Sequence, residues 1–266
     1  MSDKSEKFSW LVRMGFASRG LVYILLGYLA LSTQGDAQAG GTAVFDYIQE
    51  VEFGYPLLWV MSVGLLAYVA FRVLCGVADI QHRGSDLSAM VKRVADLASA
   101  VAHAFLAYAC LQFATGEEKS PDDDSGGQEM AGTILQTELG WIVIGAIGLG
   151  FMVGAFMQAR NAWTGHFMHR ISKRAPKVID PIGRIGHGAR SVVFAIIGWA
   201  MVEGAWVVQK DRIVGLGEAI LTLRQSDTVF IAVAIGLMMF GIFSLATARW
   251  RIIPHVDAEG LKPRLD

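Results

Sequence analysis

RMGFASRGLVYILLGY at residues 13–28 returns as RIGHGARSVVFAIIGW at residues 184–199, a shift of 171. The two stretches share Arg13/Arg184, Gly15/Gly186, Arg19/Arg190, Val22/Val193 and Gly27/Gly198. A more divergent copy, RVADLASAVAHAFLAY at 93–108, fits at a shift of 80. A stretch that recurs along a chain marks a repeated structural module, so the fold is that of the module and its copies. Each copy also leads into an apolar run, and roughly 20 apolar residues cross the hydrocarbon core of a bilayer as a helix.

Working outward, six runs reach that length: 14–32, 55–78, 94–115, 139–160, 186–208 and 228–248. Unpaired backbone groups are too costly in lipid for any of them to be other than helical. The even-numbered runs align through Gly64-Leu65, Gly148-Leu149 and Gly236-Leu237, at shifts of 84 and 172. Nearly equal shifts for both runs mean that a two-helix unit recurs. Each unit carries a stretch with apolar residues three and four apart before its second run (42–54, 129–140 and 215–227), the period of an amphipathic helix. The expected fold is an all-α integral membrane protein forming a single membrane domain, 1–266. Its six transmembrane helices form three parallel two-helix repeats (10–80, 90–162 and 181–251) around a pseudo-threefold axis, each with a short outer amphipathic helix.

Composition agrees. Of 266 residues, 53% are hydrophobic and 18% charged, and the mean hydropathy is +0.44. Soluble domains carry about 25% charged residues. Cys75 and Cys110 lie in apolar runs, which argues against a disulfide framework or a cysteine zinc site. Of the 23 Lys and Arg, 16 fall in the N-terminus, the 79–93 and 160–185 connections and the C-terminal tail. Lys119, Lys210, Arg212 and Arg224 occupy the other connections, and Arg19, Arg72 and Arg190 lie inside runs. Positive charge stays on the cytoplasmic side, so both termini are expected in the cytoplasm. Trp10, Trp59, Trp141, Trp163, Trp206 and Trp250 lie near span ends, as an aromatic belt would. A signal-peptide reading of the first run, with Ala37-Gln38-Ala39 as cleavage site, is set aside because that run has relatives later in the chain.

The R-x-G-x-x-x-R start, the Gly-Tyr of the first span and the Gly-Leu of the second resemble the bacterial membrane family called domain of unknown function 1206. The resemblance covers essentially the whole chain. It implies a six-span, three-repeat inner-membrane protein with no established activity. The middle copy departs from the pattern, with Val94-Ala95-Asp96 and Ser99 where the others have Gly and Arg. A site of three equivalent arginines is therefore not expected.

Aligned by depth, the first helices of the units give four layers: Arg13/Arg93/Arg184, Phe16/Asp96/His187, Arg19/Ser99/Arg190 and Tyr23/His103/Phe194. Spacings of three, three and four keep these on one helical face and carry them about 15 Å along the axis. Arg13, Arg93 and Arg184 read as a cytoplasmic rim. Two roles fit the deeper residues. Arg19, Arg190, Asp96, His187, Ser99, His103 and Tyr23 would form a ligand or anion site in a cavity open to the cytoplasm, since charge at this depth is costly. Alternatively, Arg19 snorkels to lipid phosphate and an Asp96–Arg pair cements the repeats. Arg72 reads as snorkelling or pairing. His103 and His187 are seven residues apart in depth, about 10 Å by helical rise, which is a poor pair of haem ligands. No cofactor and no metal is expected. The acidic loop SPDDDSGG, 120–127, lacks the closing Glu of a calcium loop, since twelve positions from Asp122 end at Thr133.

Arg170, Lys173, Arg174 and Lys177 of the 164–177 connection suit anionic lipid on the cytoplasmic face. Membrane lipids are the expected partners and nucleic acid is not; the sequence names no protein partner. Gly150 and Gly154 read as a close-packing pair. The favoured function is a non-catalytic scaffold or accessory protein, with no enzyme activity expected. The alternative is a transporter or channel for a small anion or proton-coupled solute. A third is a lipid-acting membrane enzyme with Asp96 and His187 as an acid–base pair.

Overall fold

The computed structural model describes residues 2–32, 43–50, 52–81, 84–116, 134, 137, 139–207 and 227–253. Among these are seven α-helices: α1 (Ser2–Ser32), α2 (Ala43–Glu50), α3 (Gly54–Val77), α4 (Leu87–Thr115), α5 (Gly140–Thr164), α6 (Ile179–Val207) and α7 (Asp227–Trp250). All but α2 are long and apolar enough to cross a membrane, and there is no strand among the described residues. α4 and α6 begin at Leu87 and Ile179, well before the apolar runs that mark them. The added turns carry Arg93 and Arg184, whose side chains find acceptors on neighbouring helices. Of the outer amphipathic helices, α2 occupies the first stretch; nearly all of 129–140 and 215–227 lies outside the described residues. α2 buries Val44, Phe45 and Ile48, and Phe45 meets Phe113 of α4 with ring centroids 6.0 Å apart.

Val60, Val63, Leu66, Phe105, Ile147, Val153, Phe156, Ile235 and Ile242 are exposed on the spans. An apolar surface of that extent belongs in hydrocarbon and not in water. Trp10, Trp141, Trp163 and Trp206 stand exposed toward helix ends, as interface anchors do.

The helix pairing follows the repeats. The second helix of each repeat packs on the first helix of the next: α3 on α4, α5 on α6, and α7 back on α1. Within repeats, α1 packs on α3 and α6 on α7, whereas α4 and α5 are not in extended contact among the described residues. Without a hydrophobic drive between helices in lipid, close approach depends on small residues. A methyl added at Gly15 would sit 2.7 Å from Tyr68 Cβ, and one at Gly186 would sit 2.5 Å from Phe240 Cα. These are matching contacts in repeats 1 and 3. Across repeats, Gly27 closes on Ala234 and Met238, and Gly198 on Gly148 and Met152. The matched partners put Gly148 level with Ala234, two residues from the register that Gly-Leu alone suggests. Only half of the Gly150/Gly154 pair is used: Gly154 faces the Phe194 ring, and Gly150 has nothing within 4 Å.

The α5–α6 connection crosses the end of α7. Its 3₁₀ turn, His166–Arg170, leads to a bridge between Ile171 and Arg251. Ser172 N–H donates to Trp250 O at 2.8 Å, and Ile252 N–H to Arg170 O at 3.0 Å.

Candidate functional site: an arginine and aromatic network between the repeats

The first layer of the stripe caps helices. The last carbonyls of a helix have no partner within it and carry partial negative charge, so a cation there is favourable. Arg93 of repeat 2 donates from Nε to Gly76 O at 2.8 Å and from Nη2 to Val77 O at 2.9 Å, closing α3 of repeat 1. Arg184 of repeat 3 donates to Trp163 O and, at 3.4 Å, to Ala162 O, closing α5 of repeat 2. Its guanidinium fits beside Gly165, whose φ of +64 ends that helix. Arg13 of repeat 1 donates to Ala248 O and Arg249 O, each at 2.6 Å, closing α7 of repeat 3. The three rim arginines thus tie each repeat to the one before it.

The second layer repeats the arrangement one turn deeper. Arg72 on α3 forms an ion pair with Asp96 on α4. Gln158 on α5 pairs with His187 Nδ1 on α6 at 2.5 Å. Ser244 on α7 donates its hydroxyl to Phe16 O on α1 at 2.8 Å. Asp96, His187 and Phe16 are the three members of one predicted layer. Their partners Arg72, Gln158 and Ser244 occupy corresponding places on the second helices.

The third layer is where the copies diverge. Arg19 is 4% exposed. It donates from Nε to Ser244 Oγ at 2.9 Å and from Nη1 to Tyr68 Oη at 2.5 Å. Arg72 donates to the same phenolic oxygen from Nε at 2.8 Å and from Nη2 at 2.5 Å. Arg19 therefore does not snorkel: its Nε and Nη1 donate inside the protein, and its charge lies over the rings of Phe16, Tyr68 and Phe240. Ser99 contributes its carbonyl and not its hydroxyl, accepting from His103 Nδ1 at 2.7 Å. His103 packs on Tyr68 with ring centroids 4.7 Å apart. Arg190 is held differently. Its guanidinium carbon sits 4.3 Å from the Phe240 ring, 4.7 Å from Phe194 and 5.2 Å from Tyr23. Its buried Nε has no hydrogen-bond partner. His187 stacks on Phe167 at 4.8 Å, and its Nε2 is likewise buried without a partner. Nearer the rim, Arg251 lies over Phe16 at 4.8 Å and Phe71 at 5.6 Å.

The structure thus brings Arg19 together with Arg72, and Arg190 with Tyr23 and Phe194, while Asp96 and His187 are drawn to different joints. Sequence reasoning passed over Tyr68, Phe240, Ser244 and Gln158. The signal was present: at a shift of 172, Tyr68 and Arg72 stand where the third repeat has Phe240 and Ser244. The same apolar helix face differs in polarity between copies. Chemically the network is rich in donors and poor in acceptors. Arg72 takes the carboxylate of Asp96, Arg19 and Arg72 share the phenolic oxygen of Tyr68, and Arg190 is held by ring contacts. Among the described residues no three His, Cys, Asp or Glu side chains converge on a metal site.

Comparison with known proteins agrees with this architecture. The model of the family described as Domain of Unknown Function (DUF1206) matches residues 14–79, 95–165 and 185–251. A Bacillus subtilis (strain 168) protein described as uncharacterized, YxxB, is 26% identical over 255 residues, covering 91% of this chain and 92% of that protein. No solved structure matches the chain. With three successive matches that follow its three pairs of membrane helices, the chain belongs to the DUF1206 family.

Proposed function

We propose that the protein is a non-catalytic multi-pass membrane scaffold or accessory protein. In this reading three parallel repeats close about a pseudo-threefold axis along the membrane normal, and the polar stripe is the lock between them. One observation carries the reading: two tiers of corresponding contacts join repeat 1 to 2, 2 to 3 and 3 to 1. They are the carbonyl caps made by Arg93, Arg184 and Arg13, and beneath them Arg72–Asp96, Gln158–His187 and Ser244–Phe16. Buried polar groups earn their place by specifying partner and register, and here they do so at every joint. The distribution of Lys and Arg supports cytoplasmic termini in a bacterial inner membrane. Exposed Lys173, Arg174 and Lys177 on the α5–α6 connection suit anionic lipid on that face.

Water access at position 99 tests the lock. Cys75 and Cys110 are replaced by Ala, Ser99→Cys is introduced, and inside-out vesicles are treated with a membrane-impermeant thiol reagent. Phe105→Cys, on a lipid-facing side of α4, reports background. Labelling at 99 no faster than at 105, in folded protein, is expected of a packed stripe. Fast labelling at 99 alone sinks the scaffold reading. It would favour a transporter of a small anion, for which the excess of guanidinium over carboxylate is the supporting observation.

A further inference from the structure

Repeats 1 and 3 pack alike, so each residue of one has a counterpart whose environment serves as a control. Arg19 and Arg190 are such a pair. Arg19 has two side-chain acceptors, Tyr68 Oη and Ser244 Oγ. At Arg190 both are lost. Tyr68 is replaced by Phe240, which keeps the ring and drops the oxygen. The side chain corresponding to Ser244 is Gln158, and its amide is engaged by His187. The aromatic cage survives around Arg190, but its buried Nε is left without a hydrogen-bond partner.

A guanidinium has five N–H donors, no acceptor, and stays charged. Arg190 is half-buried, and holding its buried Nε–H away from both water and an acceptor is unfavourable. Cation–π contacts attract the charge but satisfy no N–H group. Arg190 lies six residues beyond Arg184 along α6, about 9 Å deeper. One turn before Arg190 on the same helix, His187 Nε2 is a second buried polar atom without a partner. His187 and Arg190 both border the Phe240 ring, at 5.4 and 4.3 Å.

We propose that Arg190, in its cage of Tyr23, Phe194 and Phe240, is a binding site for a phosphate-type oxyanion, which supplies the acceptor that Tyr68 supplies to Arg19. The oxyanion comes either from free inorganic phosphate or from the headgroup of an anionic phospholipid. The site stands whether the protein moves the anion or only holds it.

The test is thermal unfolding of purified protein in maltoside micelles, which carry no phosphate, with gluconate as background anion. Inorganic phosphate is titrated in one arm and phosphatidylglycerol in the other. A ligand that binds only the folded state raises Tm as its concentration passes Kd. Phosphate is expected to raise Tm by several degrees in the wild type and not in Arg190→Gln. Phe240→Tyr restores the missing acceptor and is expected to raise the half-saturating concentration at least tenfold. A rise with phosphatidylglycerol alone, abolished by the same variants, assigns the oxyanion to a headgroup and upholds the site. If neither probe raises Tm, or if the rise is unchanged in Arg190→Gln and Phe240→Tyr, the proposal fails. Should Arg190→Gln not fold, Phe240→Tyr decides alone.

Discussion

At the scale of single residues, the interior is decided by where donors find acceptors. Tyr68 Oη receives N–H donors from Arg19 and twice from Arg72. Tyr68→Phe keeps the ring and strands those donors, so it should destabilise by about 2–3 kcal/mol. Denaturant unfolding in detergent measures this. Asp96, 5% exposed, is the carboxylate paired with Arg72. Asp96→Ala should cost about 3 kcal/mol, because breaking one side of a buried pair leaves the other charge uncompensated. Asp96→Asn keeps an oxygen and should cost clearly less, and equal losses for the two would show that the pair does not hold α3 to α4. The stripe residues themselves were legible from spacing, because charge within an apolar run is conspicuous. Their partners were not. Tyr68, Ser244 and Gln158 are ordinary residues in apolar helices, and only packing shows that they face the arginines.

At the scale of helices, two devices set the joints: arginine caps and glycine contacts. Arg13, Arg93 and Arg184 each close the end of a helix in the neighbouring repeat. Replacing any one by Gln should cost about 1 kcal/mol through the lost carbonyl bonds and helix-end charge. Three similar losses are expected because the three caps are alike; a single dominant one would argue against corresponding joints. Glycines sort by what a methyl would meet. Gly186→Ala presses on the backbone of Phe240, which cannot swing aside, and should destabilise by roughly 1–3 kcal/mol. Gly150→Ala meets nothing within 4 Å and should be neutral or slightly stabilising, since Ala is the better helix former. The same unfolding assay compares the two. The G-x-x-x-G spacing pointed to Gly150 because spacing gives a helix face without saying what lies opposite it.

At the scale of the whole molecule, helix packing between repeats is more even than packing within them. All three inter-repeat helix pairs pack, while among the described residues α4 and α5 of the middle repeat are not in extended contact. The basic end of the molecule has its own pH dependence. Burial, and then the positive charges of His169, Arg160, Lys92 and Arg170, hold His166 below the usual imidazole range. The fold prefers this ring neutral. As pH falls through about 6.5, the unfolded chain takes up the proton first and stability is lost. His166→Asn should therefore flatten the decline in Tm between about pH 7 and pH 5 while leaving Tm at pH 8 unchanged. The effect should be small because His166 is solvent-exposed.

The sequence by itself determined the number of spans, the three-fold repetition, the family and the residues of the polar stripe. These rest on properties local to the chain: the length of an apolar run, the recurrence of Arg and Gly at fixed shifts, and helical periodicity. Only the tertiary structure decided what the stripe does. Whether an arginine caps a neighbouring helix or pairs with a carboxylate depends on acceptors 16 to 236 positions away in the chain. Arg19 and Arg190 are identical in their own helices and differ because the opposing helix offers a Tyr in one case and a Phe in the other. A partner across an interface is a property of packing, and no periodicity along one helix contains it.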